Sequence, residues 1–437
     1  MLMPDALLYV HTNYGSDAAR NLTGGRVSSA VRNNLFFAPS TPTTYTLELT
    51  SRCNQFCLGC GNHNVFDRQA LYLSGDEWIA LLDKIRPYAR YVRLTGGECI
   101  LHPDFRSIVC HLDTFDIPFA IFTNGLWSKP DMLVAFLAER QNLSALLVSL
   151  HGPDAETHRA FAGSHSFDII LTNIRRAIVV GLVVDTNTVF TRRNWQKVEA
   201  IVHLSASLGA RGAVFSRYYG VGLPMVDLSD QDLAEAIRSV ESLRTAGWSS
   251  RLNPCVPKCF TPSSSDGCGA GITLCTVDPT GNVRPCNHAA LLMGNLTRMD
   301  MPTIWASSEA THWRSLVPES CMACSALVRC RGGCRAIALH RGLTADPLIC
   351  EPIPGSTQSP RRIFAGLHPV PCFTTRSQDQ ERLLICLSRV VPVTKHGLQV
   401  ANALDGQATL ADLSCRFGEQ AIEFILDLYE QGMVHLE

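Results

Sequence analysis

The sequence predicts an α/β protein with a parallel sheet at its core, a cysteine-rich segment after it and a small strand-and-helix module at the end. Three observations predict this order. Six short apolar runs alternate with helical patterns between residues 43 and 226, ten of the eighteen cysteines fall in residues 252–356, and apolar periodicity returns after a stretch rich in Pro and Ser. A chain of 437 residues has room for about two to four domains.

The six predicted strands are rich in Val, Ile, Leu, Phe and Thr, and near-continuous apolar runs suit parallel strands buried on both faces. They are Tyr45–Leu49, Tyr91–Thr95, Pro118–Thr123, Ala145–Leu150, Leu182–Phe190 and Ala213–Ser216. Helical patterns separate them, and one begins at a capping box of Ser74 and Glu77. Six β-α units give a sheet that is open or curled into a partial barrel, with the chemistry at the carboxyl ends of its strands.

The composition excludes several classes of protein. With 38 basic and 39 acidic side chains the net charge is −1, so no bulk positive field exists to hold nucleic acid or an anionic membrane. Residues 1–20 lack a signal-peptide pattern, and the longest apolar runs, such as Ala177–Val184, are too short to span a bilayer. We therefore expect a cytoplasmic protein without nucleic-acid or membrane partners, in which eighteen cysteines indicate metal rather than disulfides.

The first cysteine group, Cys53, Cys57 and Cys60, directly follows the first predicted strand. Three thiolates on one tight loop can bind three corners of an iron–sulfur cube and leave the fourth iron open. A zinc site is the alternative, because zinc prefers four protein ligands and His63 could supply the fourth.

The second strand ends in Gly96, Gly97 and Glu98. Two glycines let a backbone come close to a ligand, and a carboxylate follows them. This motif lies at the carboxyl end of strand two, beside the three-cysteine loop of strand one. The combination favours iron–sulfur chemistry over zinc.

Together these motifs resemble the radical S-adenosylmethionine (SAM) superfamily over about residues 43–226. The resemblance implies a partial (β/α)6 barrel of the TIM type, with a 4Fe–4S cluster on the three cysteines. The implied SAM contacts are Gly96, Gly97 and Glu98 at the methionine amine, Ser149 at the ribose, and Asn187 on strand five, with Thr123-Asn124-Gly125 also similar to the family pattern. The family usually carries a large side chain just before the third cysteine, packed on the adenine. Here that residue is Gly59, so the adenine must find its apolar contact elsewhere.

The resemblance also implies the chemistry. A donor such as flavodoxin or ferredoxin supplies a low-potential electron, a carbon–sulfur bond of SAM breaks homolytically, and the 5′-deoxyadenosyl radical abstracts a hydrogen from an unactivated carbon. The cofactor carries the difficult step, while the protein orients it and excludes water and oxygen. Several Asp, His and Tyr side chains qualify equally as a catalytic acid or base.

The second cysteine group has the spacing Cys-x2-Cys-x5-Cys-x3-Cys, which by itself favours a pair of zinc knuckles. With the cysteines upstream it resembles the SPASM extension of radical SAM enzymes, which implies two auxiliary 4Fe–4S clusters. The implied outer ligands are Cys321, Cys324, Cys330 and Cys350. The implied inner ligands are Cys268, Cys286 and Cys334, with Cys275 as the predicted fourth and Cys259 as its rival.

The final module follows a predicted linker, Pro352–Ile363. Its predicted elements follow the order of a winged helix: strands Leu383–Leu387 and Val390–Val393, then helices near Gly397–Leu404, Leu410–Phe417 and Glu419–Gln431. Four basic and nine acidic side chains between Ser377 and Glu437 give −5, the wrong sign for DNA binding. The module resembles the RiPP recognition element, in which a leader peptide adds a strand to a sheet edge. A structural cap without a ligand is the alternative.

These observations predict four regions: an N-terminal extension (1–42), a radical SAM core (43–250), a SPASM domain (251–356) and a winged-helix-like RiPP recognition element (357–437). They predict a radical SAM maturase that oxidatively cross-links a ribosomally synthesised precursor peptide, for example through a thioether or carbon–carbon bond. One alternative is a maturase of a protein Ser or Cys, of the formylglycine type, or of a small cofactor precursor. A zinc-stapled winged-helix regulator is the distant alternative.

Overall fold

A ten-stranded sheet is the largest sheet of the described residues, and eight of its strands, which are neighbours, run parallel to one another. The computed structural model describes residues 7–10, 38–61, 72–219, 223, 226–253, 256–261, 267–353, 361–378, 381–386 and 389–437. The strands of the described residues are β1 Leu7–Val10, β2 Thr44–Glu48, β3 Tyr91–Thr95, β4 Phe119–Thr123, β5 Leu143–Ser149, β6 Val184–Val189, β7 Gly212–Ser216, β8 Ser250–Leu252, β9 Leu274–Val277, β10 Asn282–Arg284, β11 Gly294–Asn295, β12 Arg361–Phe364, β13 Pro369–Pro371, β14 Thr374–Gln378, β15 Glu381–Cys386, β16 Arg389–Pro392 and β17 Val434–Leu436.

The strand order of the central sheet is β11-β10-β9-β2-β3-β4-β5-β6-β7-β8. The six predicted strands are β2 to β7, each within two residues of its predicted bounds, so the α/β partial barrel is confirmed. Two further parallel strands extend it, β8 beside β7 and β9 beside β2. Neither was predicted, because β8 has three residues and β9 lies in the cysteine-rich segment, where apolar periodicity is weak.

Helices follow most of the parallel strands, as right-handed β-α crossovers require. They are α1 Gly75–Ile85, α2 Phe105–Asp113, α3 Pro130–Ala138, α4 Ala155–Ala162, α5 Phe167–Val179, α6 Val198–Ser207, α7 Asp230–Thr245, α8 Met301–Trp305, α9 Ser308–Ser315, α10 Leu327–Cys330, α11 Arg335–His340, α12 Lys395–Asn402, α13 Leu410–Phe417 and α14 Glu419–Glu430. The predicted capping box at Ser74 and Glu77 is present at the start of α1. This helix buries Trp78, Leu81 and Leu82 against the sheet, each contributing about 1.5–3 kcal/mol of hydrophobic stabilisation.

The contacts divide the described residues into two compact units. We call Ser40–Met322 with Arg329–Glu351 the barrel unit, and Met1–Pro39 with Ala323–Val328 and Pro352–Glu437 the terminal unit. The main apolar core lies in the barrel unit between the sheet and its helices. Most of the cysteine-rich segment, other than Ala323–Val328 and the residues from Pro352 onward, therefore belongs to the barrel unit.

The terminal unit contains a three-stranded antiparallel sheet, β14-β15-β16, and helices α12 to α14. Its three helices and both predicted strands lie close to the expected bounds. An apolar core including Leu384, Leu410 and Phe424 holds the helices and sheet together.

Two strands of the terminal unit correct the sequence-based prediction. Leu7–Val10, predicted within an unpatterned extension, pairs antiparallel with Arg361–Phe364, whose first three residues were predicted as linker. The pairing joins segments about 350 residues apart, which local sequence patterns do not reveal. The rest of the linker, residues 354–360, lies outside the described residues. Within the described part of the chain, no helix is long and apolar enough to cross a membrane.

Candidate functional site

The first cysteine loop begins where β2 ends, and all three of its cysteines are partly buried. Leu58 N donates to the Phe161 carbonyl at 2.8 Å, which fastens the loop to α4. Gly59 adopts a left-handed φ of +74°, and a Cβ there would lie 2.4 Å from the Tyr218 ring. A Cβ on Gly61 would lie 2.6 Å from the His288 ring. The third cysteine is thus flanked by two glycines, each covered by a ring from elsewhere in the barrel unit.

The Gly-Gly-Glu segment lies directly against the start of this loop. Gly97 N donates to Thr50 O and Glu98 N donates to Arg52 O, each at 2.7 Å. A Cβ on Gly96 would lie 2.4 Å from Thr50 O, and one on Gly97 would lie 2.2 Å from Arg52 O. Both obstacles are backbone atoms, which cannot rotate away. The two glycines are therefore required by the close approach of β3 to the cysteine loop.

Glu98 is a buried carboxyl at this junction, 2% exposed. Its Oε2 accepts from Asn124 N at 2.7 Å, while Oε1 has no partner at hydrogen-bond geometry among the described residues. Burial raises the pKa of Glu98 to about 7, against the opposing effects of the Asn124 N–H, the Thr123 hydroxyl and the Ile100 N–H. A buried carboxyl oxygen without a donor is costly, and an ammonium group would supply that donor.

Asn124 joins Glu98 to the cysteine loop. Its side-chain Nδ2 donates to Asn54 Oδ1 at 2.7 Å and lies 3.7 Å from Cys53 Sγ. Asn54 in turn donates to Leu126 O at 2.8 Å. The carboxyl ends of β3 and β4 and the cysteine loop therefore form one hydrogen-bonded network. Asn54 was not singled out in the sequence, although a polar side chain inside a cysteine loop was an available signal.

The remaining predicted SAM contacts lie on the next strands of the sheet. Ser149 ends β5 and stands opposite Asn187 of β6 in the strand register. Asn187 Oδ1 accepts from the Ser216 hydroxyl of β7 at 3.0 Å. Polar side chains thus continue from Glu98 along the carboxyl ends of β5, β6 and β7. Ser216 was missed as a site residue, although it is a polar residue at the end of an apolar strand.

A buried histidine pair lies behind the cysteine loop. His151 Nδ1 accepts from Val189 N at 3.3 Å, and His158 Nδ1 accepts from His151 N at 3.2 Å. Burial lowers the pKa of His151 to about 3 and that of His158 to about 4, so both rings are neutral at pH 7. The proton of His158 therefore resides on Nε2, which lies 3.3 Å from Ser166 Oγ.

Ser166 connects this pair to the loop. Its hydroxyl oxygen also accepts from Gln55 Nε2 at 3.0 Å, and Gln55 Oε1 lies 3.6 Å from Cys57 Sγ. The second cysteine is therefore positioned through a buried polar network, as the first is through Asn124.

Three of the predicted inner-cluster cysteines are brought together. Cys268, Cys286 and Cys334 belong to one apolar cluster with Trp313 and Tyr219. Burial raises the pKa of the Cys286 thiol well above its usual range, and the neighbouring thiols of Cys268 and Cys334 raise it further. These three cysteines could ligate a common group.

Two buried ion pairs fasten the inner trio to the barrel strands. Arg217, just after β7, pairs with Asp346 at 2.8 Å, and the same carboxylate accepts from Cys334 N. Arg284 of β10 lies two residues before Cys286 and pairs with Glu48 of β2. Both pairs are almost fully buried, so removing one partner would leave an uncompensated charge.

Cys275, the predicted fourth inner ligand, belongs to a different apolar cluster from this trio, and its role stays a prediction. Cys275 lies on β9 opposite Tyr45 of β2, fully buried in the apolar core of the barrel. Burial alone raises its pKa, with no other thiol contributing. The strand places its side chain in this core.

The rival ligand, Cys259, lies elsewhere. Cys350 N donates to Cys259 Sγ at 3.3 Å, and Lys258 N donates to Cys330 Sγ at 3.4 Å. The two remaining predicted ligands of the outer cluster are Cys321 and Cys324. Cys321 is buried in the barrel unit. In the terminal unit Cys324 Sγ accepts from Ile353 N at 3.4 Å.

His63, the possible fourth ligand of the zinc alternative, lies outside the described residues. Cys255 lies outside them as well. Among the residues that are described, no three or more His, Cys, Asp or Glu side chains are placed to hold a single metal ion.

Family models match the chain over the first cysteine group and over part of the second. The model of the radical SAM superfamily matches residues 47–205, and that of SPASM, an iron–sulfur cluster-binding domain, matches residues 268–326. The chain therefore carries a radical SAM domain followed by a SPASM domain.

Curated relatives extend the similarity beyond the separate domains. The chain is 28% identical over 335 residues to the mycofactocin maturase MftC of Mycobacterium tuberculosis, covering 72% of this chain and 84% of the relative. It is 26% identical over 373 residues to the PqqA peptide cyclase of Streptomyces rochei, covering 78% of this chain and 98% of the relative.

Solved structures share the fold. SuiB of Streptococcus suis, bound to its precursor peptide SuiA, matches with a TM-score of 0.62 at 18% identity, over 71% of this chain and 76% of SuiB. The enzyme anSMEcpe with bound AdoMet matches with a TM-score of 0.57 at 17% identity, over 72% of this chain and 93% of that one.

The residues of this site fit the cofactors that a radical SAM domain and a SPASM domain imply, SAM and 4Fe–4S clusters. The unpartnered Oε1 of Glu98 fits the ammonium of an amino acid, and the glycines before it keep the backbone close to the three-cysteine loop. The three half-buried thiols of that loop are soft donors suited to iron.

Proposed function

We propose that the protein is a radical SAM maturase that oxidatively modifies a ribosomally synthesised precursor peptide, forming a cross-link such as a thioether or carbon–carbon bond. The observation that carries the proposal is the similarity to two kinds of peptide-modifying relative. The alignments with the mycofactocin maturase and the PqqA peptide cyclase cover 84% and 98% of those proteins. They therefore reach across the SAM-binding core and the auxiliary-cluster domain together.

The core residues hold the cofactor in this proposal. Cys53, Cys57 and Cys60 ligate one 4Fe–4S cluster, and Glu98 accepts the SAM ammonium through Oε1. Ser149 and Asn187 lie farther along the same edge of the sheet, where a ribose would bind. When bound, the cluster and SAM supply a 5′-deoxyadenosyl radical that removes a hydrogen atom from the peptide.

The partners of these residues position them for that task. Asn124 fixes Glu98 and Cys53 together, and Gln55 and Ser166 fix Cys57. Tyr218 covers Gly59 and offers apolar surface beside the third cysteine. Because most of these side chains are buried, water has little access to the reacting atoms.

The auxiliary cysteines give the reaction its oxidative outcome. The inner trio, Cys268, Cys286 and Cys334, belongs to the barrel unit together with the SAM-binding loop. A second group of cysteines in the same domain would hold the outer cluster. Such clusters can take up the electron left on the peptide, and a donor such as flavodoxin or ferredoxin supplies the electron that starts each cycle.

The terminal unit binds the leader peptide in this proposal, as a RiPP recognition element. Strands β14 and β16 are the two edges of its three-stranded sheet. An edge strand offers unpaired backbone groups to an extended peptide, and a strand added there would gain affinity from main-chain hydrogen bonds. The buried core beneath the sheet keeps the edge rigid.

The test is anaerobic incubation of the cluster-loaded enzyme with SAM, a reductant and candidate precursor peptides. The expected products are 5′-deoxyadenosine and a peptide that has lost two hydrogen atoms, detected by mass spectrometry. The Cys53/Cys57/Cys60→Ala variant is the control and should form neither. Deleting residues 365–437 should abolish leader binding. Full activity after that deletion would instead favour a folded protein or a small cofactor precursor as the substrate.

A further inference from the structure

The ring of His288 lies against the loop that carries the third cysteine of the first group. A Cβ on Gly61, the residue after Cys60, would lie 2.6 Å from His288 Nδ1 and 2.7 Å from Cε1 of the same ring. Because Gly61 has no side chain, this edge of the ring can come close to the loop. His288 Nδ1 is buried there, and no hydrogen-bond partner lies within its reach among the described residues.

The proton of the His288 ring is on this unpartnered nitrogen. Asn287 Nδ2 lies 3.4 Å from His288 Nε2, and because an amide nitrogen only donates, Nε2 is the acceptor. A neutral imidazole carries its single proton on the other nitrogen, so Nδ1 presents an N–H to the loop. His158 is the contrast, since it is a buried histidine of the same unit whose two ring nitrogens both have partners.

The backbone around His288 is held in place by hydrogen bonds. Arg284 donates to the carbonyls on both sides of His288, at 3.1 Å and 3.2 Å, and His340 Nε2 donates to the carbonyl of His288 itself at 2.6 Å. Arg284 also pairs with Glu48 of β2, the strand that leads into the cysteine loop. The segment of His288 and the cysteine loop are therefore fastened to the same strand.

Tyr219 fixes the plane of the His288 ring. The two rings stack with their centroids 4.1 Å apart and their planes at 22°. Tyr219 in turn packs in the apolar cluster that contains Cys268, Cys286 and Cys334. Rotation of the imidazole would break this stack, so the direction of its N–H is set by contacts on the side of the inner trio.

A buried N–H without an acceptor is unfavourable, and the loop beside this one carries a predicted cluster ligand. The thiolates and sulfides of a 4Fe–4S cluster accept hydrogen bonds, and such bonds are among the influences that set its reduction potential. A donated hydrogen bond stabilises the more negatively charged, reduced form of a cluster, because hydrogen bonds to charged acceptors are the stronger ones.

We propose that His288 donates a hydrogen bond from Nδ1 to a sulfur of the SAM-binding cluster, on the side held by Cys60, and thereby raises the reduction potential of that cluster. Like the proposed function on which it rests, this role requires a 4Fe–4S cluster on Cys53, Cys57 and Cys60. His288 lies two residues after Cys286, so the hydrogen bond gives the cysteine-rich segment a direct influence on the SAM-binding cluster.

The test compares His288→Leu with the unaltered chain, both full-length and anaerobically reconstituted. The measured quantity is the midpoint potential of the SAM-binding cluster, in a redox titration followed by electron paramagnetic resonance. Its signal is the one that changes on addition of SAM and is missing from Cys53/Cys57/Cys60→Ala. Without the donor, the cluster should become about tenfold harder to reduce, a shift of about 59 mV to more negative potential for a one-electron couple.

Two amide variants separate the hydrogen bond from the packing of the ring. The amide of His288→Asn places an N–H near the position of Nδ1 and should restore most of the potential, whereas that of His288→Gln reaches toward the position of Nε2 and should not. This pair also decides the question if His288→Leu loses iron. The matched control is His312→Leu, the same substitution at an exposed histidine of α9, which should leave the potential unchanged.

Three outcomes would overturn the role of His288. They are an unchanged potential in His288→Leu, a shift as large in His288→Asn as in His288→Gln, and a shift confined to an auxiliary cluster, which would direct the N–H to the inner trio. Each of them leaves the SAM-responsive signal of the unaltered chain in place. If that signal is missing from the unaltered chain, the proposed function itself is wrong, and the role of His288 is wrong with it.

Discussion

Replacing Gly97 with Ala should displace the cysteine loop from the Gly-Gly-Glu segment. The new Cβ would lie 2.2 Å from Arg52 O and 2.6 Å from Ser51 O, both backbone atoms. To reach even a tight contact, the two segments must separate by about 1 Å, and a misplacement of that size can reduce an enzymatic rate about 100-fold. The same shift would break the bonds from Gly97 N to Thr50 O and from Glu98 N to Arg52 O.

The assay is SAM affinity by calorimetry and the rate of 5′-deoxyadenosine formation, both on cluster-loaded protein. We expect weaker SAM binding and at least a tenfold lower rate. Gly247→Ala is the control, because nothing lies within 4 Å of a Cβ there, although its φ of +92° imposes backbone strain. That variant should lose some stability and keep both activities. If Gly97→Ala binds SAM as well as Gly247→Ala does, the close approach has no functional role.

Three further predictions concern buried polar groups. Glu98→Gln should weaken SAM binding about 10-fold or more in calorimetry, since a charge-assisted hydrogen bond contributes about 1.5–3 kcal/mol. The control is Glu77→Gln at an exposed carboxylate, which should leave SAM binding unchanged. Equal effects of the two substitutions on SAM binding would refute the role of Glu98. The pKa values of His151 and His158, about 3 and about 4, lie below the unfolded value of 6.5, so the unfolded chain binds protons first. The stability that the two neutral histidines contribute is therefore fully present above pH 6.5 and declines as the pH falls toward 4. A His151→Asn/His158→Gln variant should show a flatter profile of melting temperature against pH. Arg217→Leu should destabilise the protein by about 3–5 kcal/mol, because it leaves Asp346 buried without its cation, and should lower iron at the inner trio; unchanged melting temperature and iron content would contradict this.

Much of the barrel could be predicted from the sequence because its signals are local. Strands β2 to β7 are apolar runs, and the capping box of α1 spans four residues. The Gly-Gly-Glu motif follows its strand directly, so its place at the carboxyl edge was predictable from strand order. Its closeness to the cysteine loop followed from the pairing of β2 with β3.

The features that the sequence did not reveal depend on contacts between distant segments. The pairing of β1 with β12 and of β9 with β2 joins residues more than 200 positions apart. Cys275 illustrates the same limit, since the pairing of β9 with β2 places this predicted inner ligand in the barrel core. Cys259 is the converse case, a cysteine whose partners are about 70 and 90 residues further along the chain.

The central claim is that the chain performs radical SAM chemistry with three iron–sulfur clusters. The most direct test is to count iron in anaerobically purified and reconstituted protein, beside the Cys53/Cys57/Cys60→Ala variant. Three cubes require roughly 12 iron atoms per chain, and the variant should lose about 4 together with all formation of 5′-deoxyadenosine. About 4 iron atoms or fewer, with zinc bound at the second cysteine group, would contradict the auxiliary clusters, and little or no iron would contradict the radical mechanism itself.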